Sequence, residues 1–296
     1  MPLISQNWQD LLEPGQRRVF DDVYREQQSN LPILFSIQDS AKAVEHDLQT
    51  GDTLDFVPLV GGVPYDEMGE GYRTDYTHAE FARGYKIERK LVDDDQYNVI
   101  NRRPRMLALA ARRRREFDGA SVFNNSFNSS ITGGDSQPLC ASAHPSRNSS
   151  NTYSNTGTLP LTAVNVEATR RSMIKFRSDR DGIINVNPTL ILAPIDLEET
   201  LFELLNSKGK VDTAQNNANF HFGKYKALIW PNYLTSATKW WMMDMEYAKQ
   251  FLLWFDRIKP EFFRDREFDT LTAKFAGYMR YSFGWSDWRF IFGQNA

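Results

Sequence analysis

Asp135, Cys140 and His144 place a carboxylate, a thiol and an imidazole in one short stretch. Those are the parts of an activated nucleophile: a base to take the thiol proton and an acid to orient the base. Their setting argues against that chemistry. They fall in a Ser/Asn-rich segment with no strand–turn–helix context, and no oxyanion-hole motif accompanies them, so the three are read as structural. The four histidines (His46, His78, His144, His221) are scattered without metal-ligand spacing, and no His-Glu-x-x-His occurs. Gly61-Gly62 and Gly69-x-Gly71 are not followed by the Gly-Lys-Ser/Thr of a phosphate loop. Glu198 and Glu199 are neighbours on an amphipathic stretch, where a solvated face is the ordinary reading. No enzyme signal stands out, and no cofactor or metal is implied.

Arg112-Arg113-Arg114-Arg115, with Arg102, Arg103 and Arg105 upstream, is the one basic block. Guanidinium groups there could meet phosphates without reading sequence. They could equally pair with acids of a neighbouring subunit or stay solvated, and these two readings together stand ahead of phosphate contact. The seven tryptophans, above all Trp240, Trp241, Trp285 and Trp288, read as core and interface anchors rather than base-stacking platforms. Tyr65 and Tyr72 are further anchor candidates.

The 296 residues carry 35 basic and 38 acidic side chains, a net charge of −3, which argues against a surface built throughout to grip nucleic acid. One cysteine permits no intramolecular disulfide and excludes a four-cysteine zinc site, as suits a reducing cytoplasm. No apolar run has the form of a signal peptide or the roughly 18 residues of a membrane helix. The Asn-x-Ser matches at Asn128 and Asn148 are read as chance, and the chain as soluble and intracellular.

The elements that must position these groups can be read from pattern. Residues 1–50 hold weak helical patches broken by Pro14-Gly15, as in an arm that packs on something else. Residues 53–91 read as a long hairpin: Leu54, Phe56, Val57 and Leu59 going out, a glycine-rich tip, and Ala79, Phe81, Tyr85, Ile87 and Leu91 returning. Asp93-Asp94-Asp95 suits a helix N-terminus. The helix they open carries Pro104, which should kink or restart it, and ends near the arginines. From Asn124 to Thr158 the composition is that of a long loop outside the core. Helices fit Val164–Phe176 and Leu197–Leu205, and strands fit Thr189–Ala193, Lys226–Trp230, Lys239–Met243 and Phe251–Phe255, with a surface loop at Thr213–Asn219. From Leu271 to Phe283 strict alternation predicts a strand about twice the usual 5–6 residues, followed by a turn and a short terminal strand.

This order of parts resembles the major capsid protein of tailed phages, the Hong Kong 97-type coat fold, an α+β architecture. Three stretches resemble the Mu-like major head subunit group in particular. Asp93-Asp94 leads into Arg103-Pro104-Arg105-Met106-Leu107, a similar spine-helix entry. Gly134-Asp135-x-x-Pro138-Leu139 leads to His144-Pro145. The chain ends Gly284-Trp285-Ser286-Asp287-Trp288-Arg289. The likeness covers roughly residues 50–296.

The resemblance implies an N-terminal arm (1–52), an E-loop (53–91), a P-domain with spine helix and Ser/Asn-rich loop (92–159), an A-domain (160–250) and returning P-domain strands (251–296). It implies self-assembly into homo-hexamers and homo-pentamers of an icosahedral virion shell around double-stranded DNA, built in the host cytoplasm with portal and scaffolding proteins, and with a decoration protein as a further candidate. No membrane partner is implied. Some such proteins weld subunits through an E-loop lysine. None lies between Phe56 and Tyr85, with Lys86 and Lys90 only at the base, so a noncovalent shell is expected. No long charged helical stretch precedes the arm, so a separate scaffolding protein is expected. Arg112 to Arg115 remain candidates for subunit contact or DNA, and Trp285, Trp288, Tyr65 and Tyr72 for interface or core. An encapsulin-like nanocompartment or a gene-transfer-agent shell is the alternative within the fold.

Overall fold

The computed structural model describes residues 8–26, 28–50, 56–59, 62–63, 65, 69–90, 94, 102–209, 218–267 and 272–296. In chain order come helices α1 (Trp8–Glu26) and α2 (Leu31–Leu34), then strands β1 (Ser36–Asp39), β2 (Val44–Thr50), β3 (Glu70–Thr77) and β4 (Ala79–Glu88). Helix α3 (Arg102–Asn124) follows, with three two-residue strands, β5 (His144–Pro145), β6 (Thr152–Tyr153) and β7 (Thr156–Gly157). Then come α4 (Ala163–Ile174), β8 (Leu190–Ala193), α5 (Glu198–Asn206), β9 (Lys226–Ile229), β10 (Trp240–Met243) and α6 (Met245–Phe251). The chain closes with β11 (Leu252–Glu267), β12 (Thr272–Trp285) and β13 (Ile291–Gln294).

Two sheets organise these parts. One has the order β1-β11-β12-β4 and the other β7-β13-β10-β8-β9. The alternation in the last long strand does what a two-sided strand should. Ala273, Phe275, Met279, Tyr281 and Trp285 are buried, while Lys274, Tyr278 and Arg280 are less so. This strand pairs antiparallel with β11 on one side and β4 on the other, joining the end of the chain to residues 79–88. The terminal strand β13 leaves that sheet and pairs with β10 in the second one. One core cluster spans the junction, uniting Phe123, Leu190, Trp241, Trp254, Tyr281 and Phe290.

Pro14 and Gly15 do not separate two helices; they lie inside one. An interior proline costs roughly 3 kcal/mol. Phe20 and Val23 are buried with Leu107, Ala108, Phe262 and Phe275, and burial at ~1.5–3 kcal/mol per large side chain offsets that loss. The arm therefore has a destination in its own subunit. The hairpin also starts earlier than expected. Its two strands are β2 and β3, residues 56–59 are not in a strand, and the expected return limb from Ala79 to Ile87 is instead β4, which pairs with β12 in the long sheet. Leu54 and Leu91 lie outside the described residues.

Pro104 lies in the first turn of α3 as described, where proline is tolerated, and residues 95–101, which would show a kink or a restart, lie outside the described residues. Asp93 and Asp95 lie outside the described residues. The arginines sit mid-helix, not at its end, because Ala120, Val122 and Phe123 carry the helix onward into the core. Strand β11 is far longer than residues 251–255. Register shifts between Asp256 and Ile258 and between Ile258 and Glu261 interrupt its period of two, hiding the pattern. Segment 124–158 is irregular yet packed: Leu139 and Cys140 belong to the main core, which corrects the expectation of a loop outside it. Of the expected surface loop at 213–219, residues 213–217 lie outside the described residues.

Gly119 marks a close approach. A Cβ there would overlap Leu31 Cδ2 and lie 3.2 Å from the Trp230 ring. Gly→Ala within a helix ordinarily stabilises by ~1 kcal/mol. Gly119→Ala is expected to reverse that sign and destabilise by roughly 1–3 kcal/mol, the usual overpacking cost, in urea unfolding of the subunit.

Candidate functional site

Helix α3 is fastened to the long sheet by a charged pair inside the protein. Arg115 Nη1 and Nη2 donate to Asp256 Oδ1 and Oδ2 at 2.7 and 3.0 Å. Their side chains are only 5 and 4 % exposed. Trp254 Nε1 donates to Asp256 Oδ1 at 2.9 Å, and the guanidinium lies over the Trp254 and Tyr281 rings at 4.9 and 5.3 Å. Asp256 and Tyr281 face each other across β11 and β12, so strand register puts both beneath the helix. One turn on, Tyr281 Oη donates to Asp118 Oδ2 at 2.6 Å, and Arg114 Nε donates to the same oxygen at 2.9 Å. Burial pushes the Asp118 carboxyl and the Tyr281 phenol above their ordinary values.

The arginine block is thus four different environments. Arg115 is inside the subunit, which removes it from any DNA-facing or subunit-contact role. Arg114 is held by Asp118 and lies over Phe81 and Phe117. Arg112 Nη2 donates to the Tyr24 carbonyl at 3.2 Å and lies over the Tyr24 ring, tying α1 to α3. Arg113 is exposed. Trp285 and Trp288 are both buried, whereas Tyr65 is 94 % exposed and Tyr72 is half-buried.

The irregular segment holds the far end of the hairpin's strands, where β2 ends and β3 begins. Tyr72 Oη donates to the Pro145 carbonyl at 3.3 Å, Arg147 Nη1 donates to Gly71 O at 2.8 Å, and Gln49 Nε2 donates to Ser286 O. Behind them His144 stacks on Trp288 with ring centroids 4.4 Å apart. Its Nδ1 meets Asp135 Oδ2 at 2.6 Å and its Nε2 meets Asn155 Oδ1 at 3.0 Å. Asn155 also accepts from Ala141 N and donates to the Leu139 and Ile291 carbonyls, stitching the segment to β13. Asp135 and His144 are therefore a genuine pair, but Cys140 is not their third member. Burial pushes its thiol up to about 12, with Ser126 and the Gly293 amide as its polar neighbours. Glu198 and Glu199 are exposed. Among the described residues no cluster could hold a metal ion, and no helix is long and apolar enough to cross a membrane.

His78 stands between β3 and β4, where the hairpin meets the long sheet. Ser40 Oγ donates to Glu45 Oε1 at 2.7 Å, so at 3.1 Å it accepts from His78 Nε2. His78 Nδ1, 3.0 Å from Ser282 Oγ, is then the acceptor. Burial, then Arg280, holds this imidazole below the ordinary histidine value; Arg257 acts in the same sense and Glu45 opposes. Asp256, Asn155 and Ser282 went unmarked in the sequence, and His78 was weighed only as a metal ligand. Their importance lies in partners far along the chain, and no local spacing announces such pairs.

Two packed sheets, a long helix locked across one of them and a hairpin leaving its edge are the parts of a Hong Kong 97-like coat subunit, and solved structures agree. The bacteriophage JBD30 capsid protein is 13% identical over 79% of this chain and all of that one, with a TM-score of 0.61. The JBD30 procapsid subunit is 13% identical over 99% of this chain and 76% of that one, TM-score 0.56. The capsid of an empty gene-transfer-agent particle is 13% identical over 91% of both chains, TM-score 0.54. No curated protein matches in sequence. Residues 71–293 match the family described as phage capsid protein. The chain belongs to that family: it is a structural protein, a major capsid component of the virion.

Breaking a buried ion pair by removing one partner costs about 3–5 kcal/mol, whereas surface changes stay near ±0.5. Arg115→Ala is therefore expected to lower subunit stability in denaturant titrations by that larger amount, and Arg113→Ala to leave it almost unchanged. The His78 shift gives a pH dependence. The unfolded chain binds the proton more readily than the fold, so His78 contributes full stability above about pH 6.5, its ordinary value, and loses it as pH falls below. Hydrogen-exchange protection in β2 and β3, corrected for the intrinsic exchange rate at each pH, should fall between pH 7.5 and 5.5, and His78→Gln should flatten that change.

Proposed function

We propose that copies of this chain form the hexamers and pentamers of an icosahedral head enclosing double-stranded DNA, and that it is closest to the Mu-like head subunits. The observation that carries the reading is the projecting hairpin. Phe56, Val57, Leu59, Val63 and Tyr65 are all strongly exposed in the single subunit, Phe56 completely so. Exposed apolar side chains gathered in one segment suit an interaction site. A heterologous contact repeated around a rotation axis closes into a ring, and rings close into a shell. Many weak contacts per chain let errors dissolve while the finished particle persists.

Within this reading 1–52 is the arm, 53–91 the E-loop, 92–159 and 251–296 the P-domain, and 160–250 the A-domain. Portal and scaffolding proteins complete the assembly in the host cytoplasm, with a decoration protein as a candidate addition. The absence of lysine between Phe56 and Tyr85 supports a shell held without covalent welds. A gene-transfer-agent head is the second reading, favoured by the likeness to that particle's capsid. Electron microscopy of purified material is expected to show closed particles tens of nanometres across. Phe56→Asp should abolish them while leaving a folded subunit, and particle subunits should run as one band in denaturing electrophoresis. Rings or tubes alone would point to a tail or adaptor protein, and covalent ladders would overturn the noncovalent shell.

A further inference from the structure

Two helices of this chain expose faces of opposite character. On α3 the packed side is fixed by Pro104, Leu107, Ala108, Arg115 and Val122, all buried, and the outward side ends at Phe117, since Ala120 on the same line is already in the core. The opposite side presents Arg102, Arg105, Met106 and Arg113, all exposed, with Phe117 at its far end. Met106 is 69 % exposed and Phe117 51 %. At 3.6 residues per turn, Arg102 and Arg113 fall on one line, as do Met106 and Phe117, about three turns or 16 Å apart. None of the three arginines has an ion-pair partner among the described residues, unlike Arg114 and Arg115 beside them.

Helix α5 is the counterpart. Leu201, Leu204 and Leu205 are buried against the second sheet. Its outward side carries Phe202, 65 % exposed, ringed by exposed Glu198, Glu199 and Glu203. Those glutamates have no ion-pair partner among the described residues, whereas Glu167 on neighbouring α4 is bound by Arg170 and Arg171. An exposed phenylalanine amid unpaired acids and an exposed methionine amid unpaired guanidiniums are complementary in both charge and polarity. Nucleic acid would satisfy the arginines but gain nothing from Met106 and Phe117.

We propose that α5 of one copy docks across the outward face of α3 of the next copy. The contact is heterologous, since two different surfaces of identical chains meet, and such contacts generate closed rings. Phe202 seats beside Met106, and the glutamates take up Arg102, Arg105 and Arg113 at a rim where each pair contributes little but fixes orientation. This inference rests on the self-assembling coat reading.

Charge reversal tests it. Arg102→Glu/Arg105→Glu/Arg113→Glu and, separately, Glu198→Lys/Glu199→Lys/Glu203→Lys are each expected to cut sedimentable particles more than roughly tenfold, because small losses multiply around a ring. Circular dichroism should show both subunits folded, and combining the two sets of reversals in one chain should restore particles. Met106→Cys/Phe202→Cys shells should form intersubunit disulfide ladders on oxidation that neither single variant gives; Cys140 is buried and stays silent. Normal particles from either reversed variant, failure of the combination to recover, or absence of the ladder in assembled shells would overturn the docking. If the unaltered chain itself formed no closed particles, the coat reading would fail instead.

Discussion

The Arg115–Asp256 pair is the constraint on which the rest of the subunit depends. A guanidinium in the middle of a helix and a carboxylate at a strand irregularity are both removed from water, and each is tolerable only because the other is there. Trp254 and Tyr281, stacked on each other with centroids 4.7 Å apart, pack together against the guanidinium and help keep water from either partner. Helix α3 therefore has one register on the sheet. Asp256 itself is still in register with Tyr281, and the ladder shifts only after it.

From that lock the geometry passes outward in two directions. Through Tyr281 and Phe81 it reaches β4, and through His78 it reaches β3 and the hairpin base. Through Phe123 and Trp241 it reaches the second sheet. The irregular segment closes the circuit: Asn155 and His144 bind the terminal strand, while Tyr72 and Arg147 bind the hairpin. A coat subunit has to present remote surfaces at fixed angles, and this continuous packed path is how a chain with thin extensions does so. Interiors packed at crystal density transmit displacement instead of absorbing it.

Much of the stretch from residue 160 to 250 was legible. The strands at 190–193, 226–229 and 240–243 and the helices at 163–174 and 198–206 lie within a residue or two of their expected limits, because each is short, apolar on one side and bounded by turn residues. Elements whose regularity is broken were misread. Strand β11 is interrupted by two register shifts, α1 carries an interior proline, and segment 124–158 replaces ladder hydrogen bonds with Asn and Ser side-chain bonds. In each case burial against distant residues overrides local preference. The apparent nucleophile site dissolved for the same reason: Asp135 and His144 do pair, but Asn155 supplies the third group and Cys140 faces Gly293.

By itself, the sequence determined the α+β class, the long terminal strand, the hairpin, and the coat-like order of parts. Periodicity, glycine placement and composition are local quantities, and the long strand and the hairpin follow from them, whereas the α+β class and the coat-like order were carried by the resemblance to tailed-phage coat proteins. Only the tertiary structure decided which arginine is structural and which are exposed. Four consecutive arginines on a helix point about 100° apart, so one must face the core and another solvent. Which is which depends on where Asp256 and Asp118 sit when β11, β12 and α3 come together, and that is a property of strand register across distant segments, not of spacing within the block.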